Sequence, residues 1–225
     1  MTRVVALVAA RDESDRIGDT VAALRGVEGV SEVVVVDDGS RDDTASRALA
    51  AGATVLRLDR SRGKGRALEG ALSRLPPAEA WLLADGDLGG AAGGLGAVLE
   101  PVRAGEADLA VAVFPPGSGG GLGLVKRSAA RAIRLLAGIE VHEPLSGQRA
   151  ISGVALETVR PLARGFGVET AMTIDAARAG LRVAEVPVDG LAHRPTHRDL
   201  RGFAHRGRQG LDIARALAPR AVGLR

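Results

Sequence analysis

The chain has 225 residues, 46% hydrophobic and 25% charged, which suits one globular domain, or one with an appendage, and excludes a disordered polymer. It has no cysteine, so disulfides and thiolate metal sites are excluded and any metal must take oxygen or imidazole ligands. No run of ~18 apolar residues predicts a membrane-spanning helix, and the apolar start is too short for a signal peptide, so a cytoplasmic location is expected.

In chain order, Val4–Ala9 predicts a buried strand and Ser14–Leu24 a helix with Ile17, Val21 and Leu24 on one face. Ser31–Val36 predicts a second strand, ending in Asp37-Asp38-Gly39-Ser40. A helix follows over Asp42–Ala50, with Ser40 or Asp42 able to cap it. Thr54–Leu58 reads as a third strand, and Gly65–Leu75 as a helix stopped by Pro76-Pro77. Trp81–Ala84 is a fourth strand, ending in Asp85-Gly86-Asp87, and Asp108–Phe114 a fifth. Pro115–Gly121 is a glycine-rich loop, assigned together with 122 and 123 as a mobile cover. Helices are predicted over Ser128–Ile139, Gly167–Gly180 and Asp199–Leu217, a strand over Arg182–Val188, and turns over Glu143–Ala150.

Strands alternating with helices predict an α/β fold: a mostly parallel sheet with helices on both faces. Such sheets bind ligands beyond the carboxyl ends of their strands, where the polar clusters fall here. One domain over 1–225 is expected, with 1–114 as one half and 115–225, ending in a basic helix, as the other.

The net charge is +3, and because Lys64 and Lys126 are the only lysines, nearly all the basic charge is arginine. From Arg194 to Arg225 only Asp199 and Asp212 oppose the arginines. That segment suits phosphates, an acidic lipid surface or nucleic acid; a solvated helix face is the plainer alternative.

Three clusters carry chemistry. Asp37 and Asp38 at a strand tip can accept hydrogen bonds from ribose hydroxyls and a base N–H, with Gly39 allowing the tight turn. Arg62-Gly63-Lys64-Gly65-Arg66 opens a helix whose free N–H groups favour an anion, and Lys64 adds a mobile point charge. Asp85-Gly86-Asp87 puts one carboxylate towards a sugar or ribose and the other onto a hard divalent ion such as Mg²⁺ or Mn²⁺. Taken singly, each has a plainer reading as strand-end acids, a cap or a turn.

Together and in this order, the three clusters resemble family 2 glycosyltransferases of the GT-A fold, with its Rossmann-like three-layer α/β/α architecture. The resemblance covers roughly the first 90 residues. It implies a nucleotide-sugar donor held by Ala9, Arg11, Glu13, Asp37, Asp38, Gly39, Lys64, Gly65, Asp85 and Gly86, and a metal, Mg²⁺ or Mn²⁺, on Asp87. Asp12 stands where the family usually has Asn, and Leu88-Gly89-Gly90 lacks an extra polar ligand that some relatives carry.

Pro144–Ala150 resembles the Ser-Gly-Phe-Arg-Ala segment of polyprenyl-phosphate glycosyltransferases. Gly165–Thr170 resembles the Gly-Val-Glu helix of glucosyl-3-phosphoglycerate synthases. Both families use phosphate-bearing acceptors. The resemblance places Ser146, Gly147, Arg149 and Arg194 on the acceptor, with Arg198 and Arg201 as further arginine candidates. It makes Asp87, Glu169 and Glu143 the catalytic acids, the two glutamates to orient or deprotonate the acceptor. It also sets His193 beside Asp87 as a second metal ligand.

UDP-glucose and GDP-mannose remain open as donors, polyprenyl phosphate and 3-phosphoglycerate as acceptors, and inversion and retention as outcomes. Peripheral membrane contact through the basic C-terminal helix is open as well, and family habit suggests a homodimer. A sugar-nucleotide nucleotidyltransferase would carry glycines in the loop after strand one, which Val8–Glu13 lacks. A non-catalytic nucleic-acid-binding module would want aromatic stackers; there is no tyrosine and one tryptophan, so no nucleic-acid partner is expected.

Overall fold

Strand β1 (Val4–Ala10) is apolar and buried on both faces. Val4, Ala6 and Val8 enter one core, Val5 and Leu7 the other. This is the two-sided burial that a parallel sheet between helical layers demands. A computed structural model describes residues 3–114, 123–191 and 213–221. The other strands are β2 (Glu32–Asp37), β3 (Thr54–Arg57), β4 (Ala80–Asp85), β5 (Leu109–Val113), β6 (Arg149–Ser152) and β7 (Val183–Pro187). They form one seven-stranded sheet in the order β3-β2-β1-β4-β6-β5-β7, parallel except for β6, which runs against both β4 and β5.

One face is covered by α1 (Ile17–Arg25), a 3₁₀ run at Gly89–Leu95 and α4 (Gly96–Arg103). Alongside α1 lies α2 (Thr44–Ala50). The opposite face is covered by α3 (Lys64–Leu72), α6 (Gly153–Val159) and α7 (Val168–Arg178). Helix α5 (Gly123–Ala137) packs on α7. The result is the expected three-layer α/β/α architecture, with strands from both halves of the chain in one sheet. A helix over 213–221 is clasped to α7 through Arg220, 2% exposed, whose Nε donates to Asp175 Oδ1 at 2.7 Å.

The chain runs β1, β2, β3 to one side and then crosses back to place β4 on the other side of β1. The resulting crevice between the carboxyl ends of β1 and β4 is where such sheets receive ligands.

Several elements depart from the sequence expectation. Residues 14–16 form a turn, and α1 begins at Ile17 with Ile17 N bonded to Glu13 O at 2.9 Å. Helix α5 starts at Gly123 rather than Ser128. The predicted turn segment 143–150 ends in a strand, β6, where Arg149 opens a run that lies 0–1% exposed through Ile151. The helical run over 89–103 and α6 are additional; glycines at 89, 90, 93, 94 and 96 weaken the helical signal of the first. Ser152 caps α6, its Oγ accepting from Ala155 N at 3.2 Å. Ser40 does not cap α2, its Oγ holding Asp12 N instead, whereas Asp42 Oδ1 accepts at 3.0 Å from the N–H of Thr44 that opens the helix, and its Oδ2 also holds Ser14 N. The loop 115–122, His193, Arg194, Arg198, Arg201 and most of the predicted helix 199–217 lie outside the described residues.

Candidate active site

Parallel register brings the two acidic strand tips together. Ala10 pairs with Asp37 and Ala9 with Asp85, so the carboxyl ends of β2 and β4 flank the end of β1. Gly86 N donates to Ala9 O at 3.0 Å, and Asp38 N to Ala10 O at 2.9 Å.

At the β2 tip, Asp37 is fully buried and its Oδ1 accepts from Ser40 N at 2.8 Å. Its Oδ2 has no hydrogen-bond partner among the described residues; Arg57 Nε stands 3.3 Å away, outside hydrogen-bond geometry. Arg57 is its ion-pair partner, and the oxygen is closed off from the crevice surface. Asp38 is committed to the chain. Its carboxylate accepts from Arg62 N at 2.6 Å, Gly63 N at 2.9 Å and Ser61 Oγ at 2.7 Å, tying the tip of β2 to the loop that opens α3. Gly39 makes this possible, with φ +72 and room for no Cβ, since one would lie 2.8 Å from Arg60 C and Ser61 N.

The loop after β1 is latched to the loop after β2. Asp12 N donates to Ser40 Oγ at 3.0 Å, Asp12 Oδ1 accepts from Arg41 N at 2.8 Å, and Glu13 N donates to Thr44 Oγ1 at 2.8 Å. Asp12 has φ 55, in the left-handed region that Asn and Asp tolerate best. The replacement of Asn by Asp therefore keeps the backbone conformation. Asp42 completes the latch, accepting from Ser14 N at 3.1 Å and from Thr44 N and Oγ1. Its own burial opposes the shift, but these hydrogen bonds pull its carboxyl down to about 2. Arg11 is exposed and stands 3.6 Å from Asp12.

At the β4 tip the partners come from distant elements. Lys64 Nζ lies 2.6 Å from Asp85 Oδ1 and 2.8 Å from Glu169 Oε1, the latter in the first turn of α7. Burial works against the charge on Lys64, but the two carboxylates outweigh it and hold the ammonium above its ordinary value. The mobile point charge expected of Lys64 is therefore pinned, with two of its three N–H donors engaged. Gln148, 3% exposed, donates from Nε2 to Asp85 Oδ2 at 2.9 Å. Gly147 lies directly over the pair: a Cβ there would be 2.4 Å from both Asp85 Oδ2 and Lys64 Nζ. Gly65 is equally confined, its hypothetical Cβ 1.9 Å from Ala163 O.

Asp87 is half-buried just beyond this cluster, and its carbonyl accepts from Arg16 at 3.2 Å. Thr20 of α1 holds the turn from within, its hydroxyl donating to Gly86 O at 3.0 Å and accepting from Gly89 N at 2.8 Å. Neither Thr20 nor Gln148 stands out in the sequence as a site residue. The available signal is Gln148 where relatives have Phe: a buried amide needs a polar partner.

The acceptor-side candidates are organised from beneath. Arg149 is 1% exposed and donates to Ser146 O at 2.7 Å, Thr173 Oγ1 at 2.8 Å and Pro144 O at 3.4 Å. Burial pushes its guanidinium down to about 10, against the pull of Glu169 and Glu185. Arg149 therefore sits under the 144–148 loop rather than on the open crevice. Ser146, 1% exposed, turns its hydroxyl towards Gln148 O at 3.4 Å. Glu143 is 6% exposed and lies 2.5 Å from Lys126 Nζ of α5, while its N–H donates to Glu185 of β7 at 2.7 Å. Both lysines of the chain are thus paired with candidate site carboxylates.

Among the described residues no three His, Asp or Glu side chains stand grouped to hold a metal ion. Asp85 is engaged on both oxygens by Lys64 and Gln148, and Asp87 is the second carboxylate of the β4 tip. A single carboxylate fits Mg²⁺ or Mn²⁺ that draws its remaining ligands from a diphosphate and water. No helix among the described residues is long and apolar enough to cross a membrane.

This fold with these strand-end carboxylates defines a class. Residues 6–153 match the family model described as Glycosyl transferase family 2. The chain belongs to glycosyl transferase family 2. It is similar to Glycosyltransferase AglJ of Haloferax volcanii, with 31% identity over 78% of this chain and 59% of that protein. It is also similar to glucosyl-3-phosphoglycerate synthase of Mycolicibacterium paratuberculosis, with 32% identity over 82% of this chain and 64% of that protein. The chain thus spans about three-fifths of the length of these relatives. The crystal structure of the Mycobacterium tuberculosis glucosyl-3-phosphoglycerate synthase with phosphoglyceric acid matches with a TM-score of 0.83 and 28% identity, over 97% of this chain and 80% of that one. The same enzyme with Mn²⁺, uridine diphosphate and glucosyl-3-phosphoglycerate matches with a TM-score of 0.81 and 27% identity, over the same shares. The fold is that of the GT-A glycosyltransferases.

Proposed function

We propose that the chain is a metal-dependent glycosyltransferase that moves a hexose from a nucleotide sugar to a phosphate-bearing acceptor, with residues 1–225 acting as one catalytic domain. The observation that carries this is the Lys64–Asp85–Glu169 cluster beside the β1–β4 crevice, with Asp85 two residues before Asp87 and across β1 from Asp37. The uridine diphosphate and Mn²⁺ bound by the structural relative favour UDP over GDP as the donor nucleotide.

In this reading the β2 tip at Asp37 and Asp38 holds the nucleoside. Asp38 and Gly39 act through the loop over 61–63, and Ala9, Glu13 and Gly86 shape the floor. The third N–H of Lys64 faces a donor phosphate, and Asp85 receives a sugar hydroxyl. Asp87, with His193, would hold Mg²⁺ or Mn²⁺, which supplies positive charge that stabilises the departing nucleoside diphosphate. Glu169 offsets the charge on Lys64. Glu143, Ser146, Gly147 and Arg194 face the acceptor, and Arg149 holds their loop. Where the acceptor's phosphate itself attacks, it is already ionised and the glutamates only orient it; where a hydroxyl of a phosphorylated acid attacks, its proton must pass to a base, which a glutamate would supply.

The test is a thermal-shift panel of UDP- and GDP-sugars with and without Mn²⁺ or Mg²⁺. A UDP-sugar should raise the melting temperature only when the metal is present, by ~2.7 kcal/mol of stabilisation at a hundredfold excess over Kd. No shift with any nucleotide sugar would sink the reading. Asp87→Ala should abolish the metal dependence and lower turnover on the order of 10³-fold.

A further inference from the structure

Helix α5 carries two faces with different chemistry. Ala129 and Ile133 are buried towards the body, and Lys126 reaches Glu143. The opposite stripe, Leu124, Arg127, Ser128, Arg131, Arg134 and Leu135, is exposed at every position. Leu124 is 75% and Leu135 73% exposed, among the most exposed large apolar side chains described. They lie roughly 16 Å apart along the helix axis, with three arginines between them. The helix contains no acidic residue. Arg127 and Arg131 have no ion pair among the described residues, and Arg134 meets only the exposed Glu140 at 3.2 Å, beyond the end of the helix.

Two leucines framing unopposed arginines on one helical stripe match an interface where anionic headgroups lie over hydrocarbon. Arginine stems lie along such a boundary while the guanidinium forks bind phosphate. We propose that the outer face of α5 docks this protein on an anionic lipid bilayer. The surface differs from the arginine-rich segment after Arg194, and it sits where docking has a consequence. The inner face of α5 is ion-paired to Glu143, so a bilayer beneath the outer face would lie next to the acceptor side of the crevice.

The experiment is liposome flotation of the full chain, without substrate, on phosphatidylcholine alone and on phosphatidylcholine mixed with phosphatidylglycerol. Binding is expected only to the anionic vesicles and should weaken with added salt. Arg127→Gln and Arg131→Gln should each weaken it about fivefold. Leu124→Asp combined with Leu135→Asp should abolish it, with an unchanged melting temperature because both sites are exposed. Equal binding to both vesicle types, no binding to either, or α5 variants that float like the parent would each overturn the proposal. So would light scattering that shows a dimer dissociated by Leu124→Asp, which would make α5 a contact between copies. Flotation needs no nucleotide, so its failure is separable from failure of the donor-binding reading.

Discussion

The tips of β2 and β4 are both acidic, both end apolar strands and both flank β1, yet they are finished in opposite ways. At the β2 tip the partners are mostly backbone N–H groups of the adjoining loops: Asp38 takes the loop over 61–63, Asp37 takes Ser40 N, and Asp42 takes Ser14 N and Thr44 N. At the β4 tip they are side chains from remote elements, with Lys64 from α3, Glu169 from α7 and Gln148 from the loop before β6. The first arrangement makes a rigid rim. The second makes a charged cluster whose members hold one another and whose loss is felt on three elements at once.

The largest test of that contrast is Lys64→Met. It removes the cation between the buried Glu169 and an Asp85 whose side chain is 35% exposed, so solvent screens part of the effect and a stability loss of about 2 kcal/mol is expected in urea unfolding. The lysine is held above its ordinary value, so its contribution is fully present below 10.5 and is lost as pH rises through the higher folded value. An unchanged unfolding midpoint would mean that the cluster is not closed. Adding Glu169→Gln to this variant should restore part of the loss, because one buried charge is then gone.

Gly147→Ala is the intermediate case. The new methyl group meets Asp85 Oδ2 and Lys64 Nζ at 2.4 Å, and relief requires one of them to move. Turnover is expected to fall about tenfold, with about 1 kcal/mol of destabilisation. A variant with full turnover would show that the geometry of this pair is not used.

Asp42→Asn is the smallest and belongs to the β2 rim. The folded carboxyl is depressed to about 2 from 3.8, so its contribution is present above 3.8 and is lost as pH falls through about 2. The variant should melt lower than the parent near neutrality and equally near pH 2, by thermal melts across that range. A constant difference at all pH values would exclude the carboxylate as its source. The side chain is exposed, so the effect is modest.

The parallel strands and their acidic tips are legible in the sequence because β-branched apolar runs ending in Asp-Gly carry a local signal. Other features are not. The run over 89–103 hides behind glycines that disfavour helix in isolation. Strand β6 opens with an arginine that no local rule would bury, and it is buried because Pro144, Ser146 and Thr173 receive its donors. Gln148 is silent until Asp85 stands opposite it.

By itself the sequence determined the α/β alternation, the crevice at the carboxyl ends of β1, β2 and β4, and the residue types gathered there. Each of these rests on periodicity and turn chemistry within a few residues. Tertiary structure alone decided that Asp38 anchors a loop, that Lys64 is clamped between Asp85 and Glu169, and that Arg149 works from beneath its loop. These depend on which groups meet in space, with Asp38 and Arg62 24 residues apart in the chain and Arg149 and Thr173 also 24, and in a poorly solvated interior a charge is defined by the partners it finds.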